Sequence, residues 1–286
     1  MAQNIGDILI KAISKQTSKV DYFAYVENIS PNTAVHEVRK AYKRIRSLLK
    51  FYPLQESGFP VLDKNEISAF GKALSEYRNS CVNLQILEKV TKENPHISEQ
   101  KLKLLKEKLS AKNTSQLDQI AKNKLGKRIR KHNKDFENRL NQTKVVIDKN
   151  LIPEKLRHSF EKSFKVYSDT TLFESAERMH LLRKRLKVLY YQSNFLKFAD
   201  ARFFKTKSDQ LNIITEALGD DHDLFVFLEE MKTPDYGLDL EETTILENKV
   251  NYLRELNMVK LQPRLKQFFS ETPESFNKKI ENIFSA

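Results

Sequence analysis

Tryptophan is absent from the 286-residue chain, and cysteine occurs once, at position 81. One cysteine excludes an internal disulfide framework and fits a reducing, cytoplasmic compartment. Six glycines and eight prolines are few for this length, as expected of long helices with short connections. Every apolar run is far shorter than the roughly 20 residues a membrane helix needs. Met1 to Lys11 lacks a basic segment followed by a long apolar core, so no signal peptide is read there. Neither GxxxxGK[ST] nor GxGxxG occurs, which excludes the common phosphate loops. No HExxH motif is present, and no aromatic strand platform of the kind that stacks RNA bases. Tracts of strict two-residue alternation are nearly missing, so the chain reads as all-α.

Basic residues dominate what is there. Lysine and arginine number 50 against 38 acids, a formal net charge of +12, and the sequence pI is near 9.5. Such an excess serves an anionic partner: nucleic acid, a phosphate polymer or a membrane surface. Forty per cent hydrophobic residues give ample apolar surface for a folded core.

One stretch concentrates the charge. His36 to Phe51 has no Gly or Pro and is rich in helix formers. At about 100° per residue, His36, Arg39, Lys40, Lys43, Arg46 and Lys50 share one stripe, while Val38, Ile45, Leu48 and Leu49 lie elsewhere and can pack. Glu37 is the only acid within 36–50. Exposed helices ordinarily mix signs, and like charges at i,i+4 cost stability that an anion would recover. The stripe climbs about 1.5 Å per residue, roughly 20 Å in all. That is too long for one phosphate and suits an extended anion with closely spaced charges.

The pattern returns after 144 residues. His180-x-x-Arg183-Lys184-x-x-Lys187 repeats His36-x-x-Arg39-Lys40-x-x-Lys43. At the same spacing Leu74-Ser75-Glu76-Tyr77-Arg78-Asn79 aligns with Leu218-Gly219-Asp220-Asp221-His222-Asp223, and Phe51 with Phe195. Two features sharing one offset, close to half the chain, indicate internal duplication. The chain is read as one domain, 1–286, with halves of about 1–150 and 151–286 and no linker-like composition at 150–153.

Helices are expected at Ile5–Gln16, Ser18–Asn28, from Ser30-Pro31 to Pro53, and over Lys64–Glu93 after a loop at Gln55–Asp63. Further helices are read at Ile97–Lys112 and Thr114–Asn150, the latter interrupted at most at Gly126. In the second half a capping box, Thr171-x-x-Glu174, is read as the start of the second basic helix, running to about Phe198. Then come Lys207–Met231, a turn at 233–239, Leu240–Val259, a short piece broken near Pro263, and Pro273–Phe284. Lys124, Lys127, Arg128 and Lys131 share another helical stripe and are candidates for an additional basic wall.

His36 and His180 head the two stripes, and an anion bound there would raise their pKa and recruit them as cations. Asp220-Asp221-His222-Asp223 invites a metal reading. Its counterpart Glu76-Tyr77-Arg78-Asn79 could not make the same site, so Asp223 and Asn79 are read as orienting nearby basic side chains. No metal, cofactor or catalytic residue is assigned. Cys81 aligns with Phe225 and is read as core.

A duplicated His-x-x-Arg-x-x-x-basic helix, each copy followed by a Leu-Gly-x-x-(Arg/His)-Asp-like block, resembles the CHAD family. The resemblance spans about residues 5–285. It implies two four-helix-bundle-like halves related by pseudo-two-fold symmetry, long helices lining a basic central channel, binding of inorganic polyphosphate there, and association with polyphosphate granules. Carried over by position, the binding residues are His36, Arg39, Lys43, Arg44 and Arg46 in the first half and His180, Arg183, Lys184 and Lys187 in the second. Tyr190, Val188, Ser75 and Asn79 depart from the family pattern. A helical nucleic-acid-binding module and a polyphosphate-processing phosphatase, with His36 or His180 as acid/base, remain open alternatives.

Overall fold

Ser30 and Pro31 begin the helix on which the site is built. In the computed structural model the Ser30 hydroxyl accepts the Thr33 N–H, and Pro31 occupies the first helical position of α2 (Pro31–Leu48). The structure describes residues 4–25, 28–53, 60–92, 97–142, 146–148 and 150–285. Among them the regular elements are all helical: α1 (Ile5–Tyr25), α2, α3 (Val61–Ala73), α4 (Ser75–Thr91), α5 (Glu99–Lys122), α6 (Leu125–Gln142), α7 (Leu151–Tyr167), α8 (Ala176–Phe195), α9 (Ala201–Met231), α10 (Leu240–Phe268), α11 (Pro273–Ser285) and three short 3₁₀ turns.

Several boundaries differ from those read in the sequence. α1 is one helix where two were expected. Thr17 and Ser18 each turn their hydroxyl back onto the Ser14 carbonyl, at 2.9 and 3.0 Å, and so stay inside the helix. Residues 26 and 27, within the expected second piece, lie outside the described residues. α2 ends at Leu48, five residues before Pro53: the Phe51 N–H bonds the Leu48 carbonyl at 2.9 Å and tightens the chain into a turn. Lys50 therefore stands in that turn and not on the helical stripe. The expected loop at 55–63 is cut short, because α3 already begins at Val61; residues 54–59 lie outside the described residues.

The single helix expected over 64–93 is broken at Leu74, which is buried between α3 and α4. At that junction the Gly71 carbonyl accepts from Arg39 and from the Ser75 hydroxyl. Residues 93–96, including Pro95, lie outside the described residues. α5 runs straight through Thr114, whose hydroxyl bonds the Ser110 carbonyl at 3.1 Å. The break comes instead at Lys124, left-handed at φ 51°, two residues before Gly126. Lys124 thus precedes α6 and is not on its stripe. Thr171 caps nothing by its side chain: its N–H and hydroxyl are both committed to Asp169, and a 3₁₀ turn follows. Ser175 is the cap of α8, accepting the Arg178 N–H. α10 continues through Pro263. Its neighbours Leu261 and Leu265 are fully buried, while Pro263 itself faces solvent. The carbonyl that loses its partner is thereby left near water.

The apolar interior forms two clusters, and neither follows the division at 150. One gathers Leu9 and Ile13 of α1, Ile45 of α2, Phe160 of α7, Leu186 of α8, Phe204 of α9 and Phe268 of α10. The other joins Leu87 of α4 and Leu109 of α5 to Phe227 of α9 and Leu246 of α10. Helices from opposite halves meet directly at α2–α8 and α4–α9. Phe51 and Phe195, the residues 144 apart, lie ring against ring at 5.9 Å where α2 and α8 finish. Cys81 is buried and free.

Phe51 is fully buried, so Phe51→Ala should cost about 3–5 kcal/mol in urea unfolding. A cost below about 1 kcal/mol would mean that this ring contact does not hold the two helices together.

Candidate anion-binding site

The basic faces of α2 and α8 look at each other. Lys43 has Arg183, Arg39 and Lys187 as its strongest charged neighbours, Arg39 has Arg78 and Arg183, and Lys187 feels Lys40. His36, Arg39, Lys40 and Lys43 of α2 and His180, Arg183, Lys184 and Lys187 of α8 thus form one basic seam. α4 adds Arg78, and α9 adds Glu216, Asp220, His222 and Asp223. Lys43 is open to water yet surrounded by protein on most sides, the combination that a wet concave surface produces.

The contacts along the seam repeat at the 144-residue spacing with altered chemistry. In the first half Arg39 donates to the Gly71 carbonyl at 2.7 Å and to the Ser75 hydroxyl. In the second half Arg183 packs on Gly219, the counterpart of Ser75; a Cβ there would lie 2.9 Å from the Arg183 Nη2. Arg78, which donates to Asn32 Oδ1 at 3.0 Å, stands beside His36. Its counterpart His222 stacks on His180 with ring centroids 3.7 Å apart. Arg78, His222, Gly219 and Glu216 were not in the residue set read from the sequence. The shared offset of Arg78–His222 and His36–His180 was the signal that could have placed the first two.

Burial first, then crowding by cations, shapes the titration. Lys43 is lowered to about 7 by burial and by Arg183, Arg39 and Lys187. Burial and the Arg78 and Arg183 charges bring Arg39 to about 10. His180 falls to about 3, through burial and then His222, Lys184 and Arg183. Burial with Arg183 and Lys184 takes His222 to about 4, and His36 is lowered by burial and Arg78. His180 and His222 are therefore neutral at pH 7 in the unliganded protein. Burial raises Asp223 even though Arg183, Arg78 and Lys43 pull it down. Glu216 accepts from Lys187 at 2.7 Å and is held below its ordinary value despite burial. His180 Nδ1 and Arg183 Nε are buried without a hydrogen-bond partner among the described residues.

Other expected site residues go elsewhere. The Arg44 guanidinium lies 5.8 Å over the Tyr191 ring and reaches Gln16 at 3.4 Å, a packing position between α1, α2 and α8. Arg46 and Lys50 keep company with Lys64. Lys127, Arg128 and Lys131 are exposed on α6, which packs on α1, α5 and α3. Arg128 sits over Phe70 at 5.9 Å. None of these three, nor Lys124, is among the charged neighbours of the seam residues just described. Asp221 turns away to ion-pair with Arg254 at 2.9 Å, so the Asp-Asp-His-Asp run is split between two faces. Among the described residues no group of three or more His, Cys, Asp or Glu is arranged to hold a metal. Asn79 is exposed and Asp223 acts as a counter-charge, so neither orients the cations by hydrogen bonds.

The molecule is thus an all-α body whose two matched helices oppose their basic faces. The profile of the CHAD domain matches residues 11–232, and the chain belongs to that family. Two solved structures share the fold. PptA from Streptomyces chartreusis superposes with a TM-score of 0.68 at 13% identity, covering 93% of this chain and 99% of its own. The CHAD domain from the plant Ricinus communis gives 0.55 at 16% identity, covering 99% and 92%. No curated protein sequence matches the chain.

Gly219→Ala should displace the Arg183 guanidinium while leaving the melting temperature nearly unchanged, because the clashing atoms are the end of a flexible side chain. Titration with long-chain polyphosphate should then show weakened affinity; full affinity would mean that Arg183 does not need this position. Affinity should also fall as pH rises through about 7, since an anion favours charged Lys43 and binding takes up protons. Lys43→Arg, charged throughout, should flatten that dependence in calorimetry between pH 6 and 9. A wild-type profile that is already flat would contradict the role of Lys43.

Proposed function

We propose that this protein binds inorganic polyphosphate, or another extended polyanion, along the α2–α8 seam, without catalysis. The observation that carries the reading is the mutual repulsion of the two stripes. Eight basic or imidazole side chains from positions matched at the 144-residue spacing face one another, and for Arg39, Lys43 and His180 the charged form is disfavoured by burial and by the neighbouring cations. A ligand with one negative charge every few ångströms relieves repulsion at all of these positions together. Arg supplies planar forks and Lys point charges to phosphate oxygens. The family resemblance supports polyphosphate as that ligand and its granules as the place of action. The repeated contacts support an approximate two-fold relation between the halves, with the seam as part of a central basic channel.

Binding by counter-charge predicts a steep loss of affinity with salt through counterion release, as for nucleic acids. Long-chain polyphosphate, duplex DNA, single-stranded RNA and orthophosphate should be titrated at two salt concentrations, with free phosphate assayed in parallel. Polyphosphate should win without phosphate release. Preference for RNA or DNA would assign the seam to nucleic acid, and phosphate release would make the histidines catalytic. Arg39→Glu with Lys43→Glu should weaken polyphosphate by about tenfold or more with unchanged helical circular dichroism. Unchanged affinity would remove the ligand from the seam.

A further inference from the structure

The rotation of α10 about its axis is fixed by its contacts. Val250, Leu261, Leu265 and Phe268 are buried in the interior. Arg254 pairs with Asp221 of α9 at 2.9 Å, and Asn257 donates to the Ala217 carbonyl of the same helix at 2.7 Å. At about 100° per residue, Tyr252, Leu256 and Val259 then fall together on the opposite side. They are 53%, 42% and 72% exposed. Pro263, also exposed, closes the stripe. Single exposed apolar residues are ordinary on a protein surface, whereas a continuous row of them marks a surface that another chain covers.

The spacing and the flanking charges identify what covers it. From Tyr252 to Leu256, Val259 and Pro263 the steps are four, three and four residues, the heptad of a coiled coil with Leu256 and Pro263 at a and Tyr252 and Val259 at d. Glu255 then stands at g on one flank and Lys260 at e on the other. Both are exposed, and among the described residues neither has an opposite charge within ion-pair distance. In two parallel copies of α10 the g flank of one lies beside the e flank of the other, so Glu255 meets Lys260 on both sides of the contact. An antiparallel pair would instead bring the two Glu255 flanks together, and likewise the two Lys260 flanks. α10 carries four acids against five bases in a chain of net charge +12, so two copies meet there against little repulsion from the helix itself.

We propose that the outer face of α10 is a self-association surface, through which two copies of this chain pair in parallel about a two-fold axis. Tyr252, Leu256 and Val259 each meet their own counterpart along that axis, and the reciprocal Glu255–Lys260 contacts set the direction. Three exposed apolar side chains per copy cover far less than the roughly 800 Å² per partner of a standard interface. The dimer is therefore weak and forms in a concentration-dependent way. It does not depend on what the seam binds.

The test is sedimentation equilibrium of the full chain from about 10 μM to about 1 mM. The wild-type chain should pass reversibly from monomer toward dimer over that range. Leu256→Asp, at an exposed position, should keep the melting temperature and weaken pairing about tenfold or more. Glu255→Lys and Lys260→Glu should each weaken pairing. An equimolar mixture of those two variants, and the chain carrying both substitutions, should regain it, because each restores the Glu–Lys contacts. Val259→Cys should give a disulfide-linked dimer under mild oxidation, since the parallel pair sets position 259 against itself and the native Cys81 is buried. A wild-type chain that stays monomeric up to about 1 mM would overturn the proposal and leave the face to a different partner. A dimer that Leu256→Asp does not weaken would place the contact elsewhere and overturn it equally. A dimer indifferent to the charge exchanges and not linked through Val259→Cys would overturn the parallel arrangement.

Discussion

Everything in this structure depends on packing two strongly basic helices side by side. α2 and α8 carry their cations toward a common seam, and nothing in their charge favours that arrangement. What opposes the repulsion is the other face of each helix. Val38, Ala41, Tyr42 and Ile45 of α2 and Met179, Leu182, Leu186 and Leu189 of α8 are all buried. Each fully buried large apolar side chain contributes about 1.5–3 kcal/mol, and a surface like-charge pair costs only tenths. The apolar faces therefore win, and the cations are held closer than they would settle alone. Lys43 and Arg39, lowered first by burial and then by the cations around them, register that constraint in part.

The two copies of the motif, 144 residues apart, differ in their contacts. Where one half has Arg78 beside a histidine, the other has a second histidine stacked on the first. Ser75 offers the Arg39 guanidinium a hydroxyl, whereas Gly219 offers Arg183 only space. Acids are also unequal: Glu216 and Asp223 come from α9, and the equivalent stretch of α4 has no carboxylate aimed at the seam. The second half is thus less positive at its floor, though its stripe has the same spacing.

Much of this was legible in the residues themselves. The all-α class, the caps at Ser30 and the turn at Gly237 rest on local chemistry that a sequence displays. The seam was legible because a 144-residue spacing ties His36 to His180 and Arg39 to Arg183. What failed were features decided by partners distant in sequence. Leu74 breaks α3 from α4 where Arg39, 32 residues before Gly71, claims a carbonyl. Lys50 left the stripe because its helix ended early, and Thr171 lost its capping role to a contact with Asp169. Lys124, Lys127, Arg128 and Lys131 have the spacing of a helical wall, yet Lys124 falls before α6 and the other three stand exposed on a helix that packs on α1, α3 and α5. Helical periodicity states which residues share a face; it is silent on what that face meets.

Ser75 and Gly219 leave the two arginines with different hydrogen-bonding needs. Arg39 spends donors on the Gly71 carbonyl and the Ser75 hydroxyl. Arg183 lies against the bare backbone of Gly219 and makes no hydrogen bond with the described residues, and its Nε is buried. A buried donor without a partner costs about 1–3 kcal/mol, so the second half, unlike the first, holds a donor that any acceptor reaching it would satisfy.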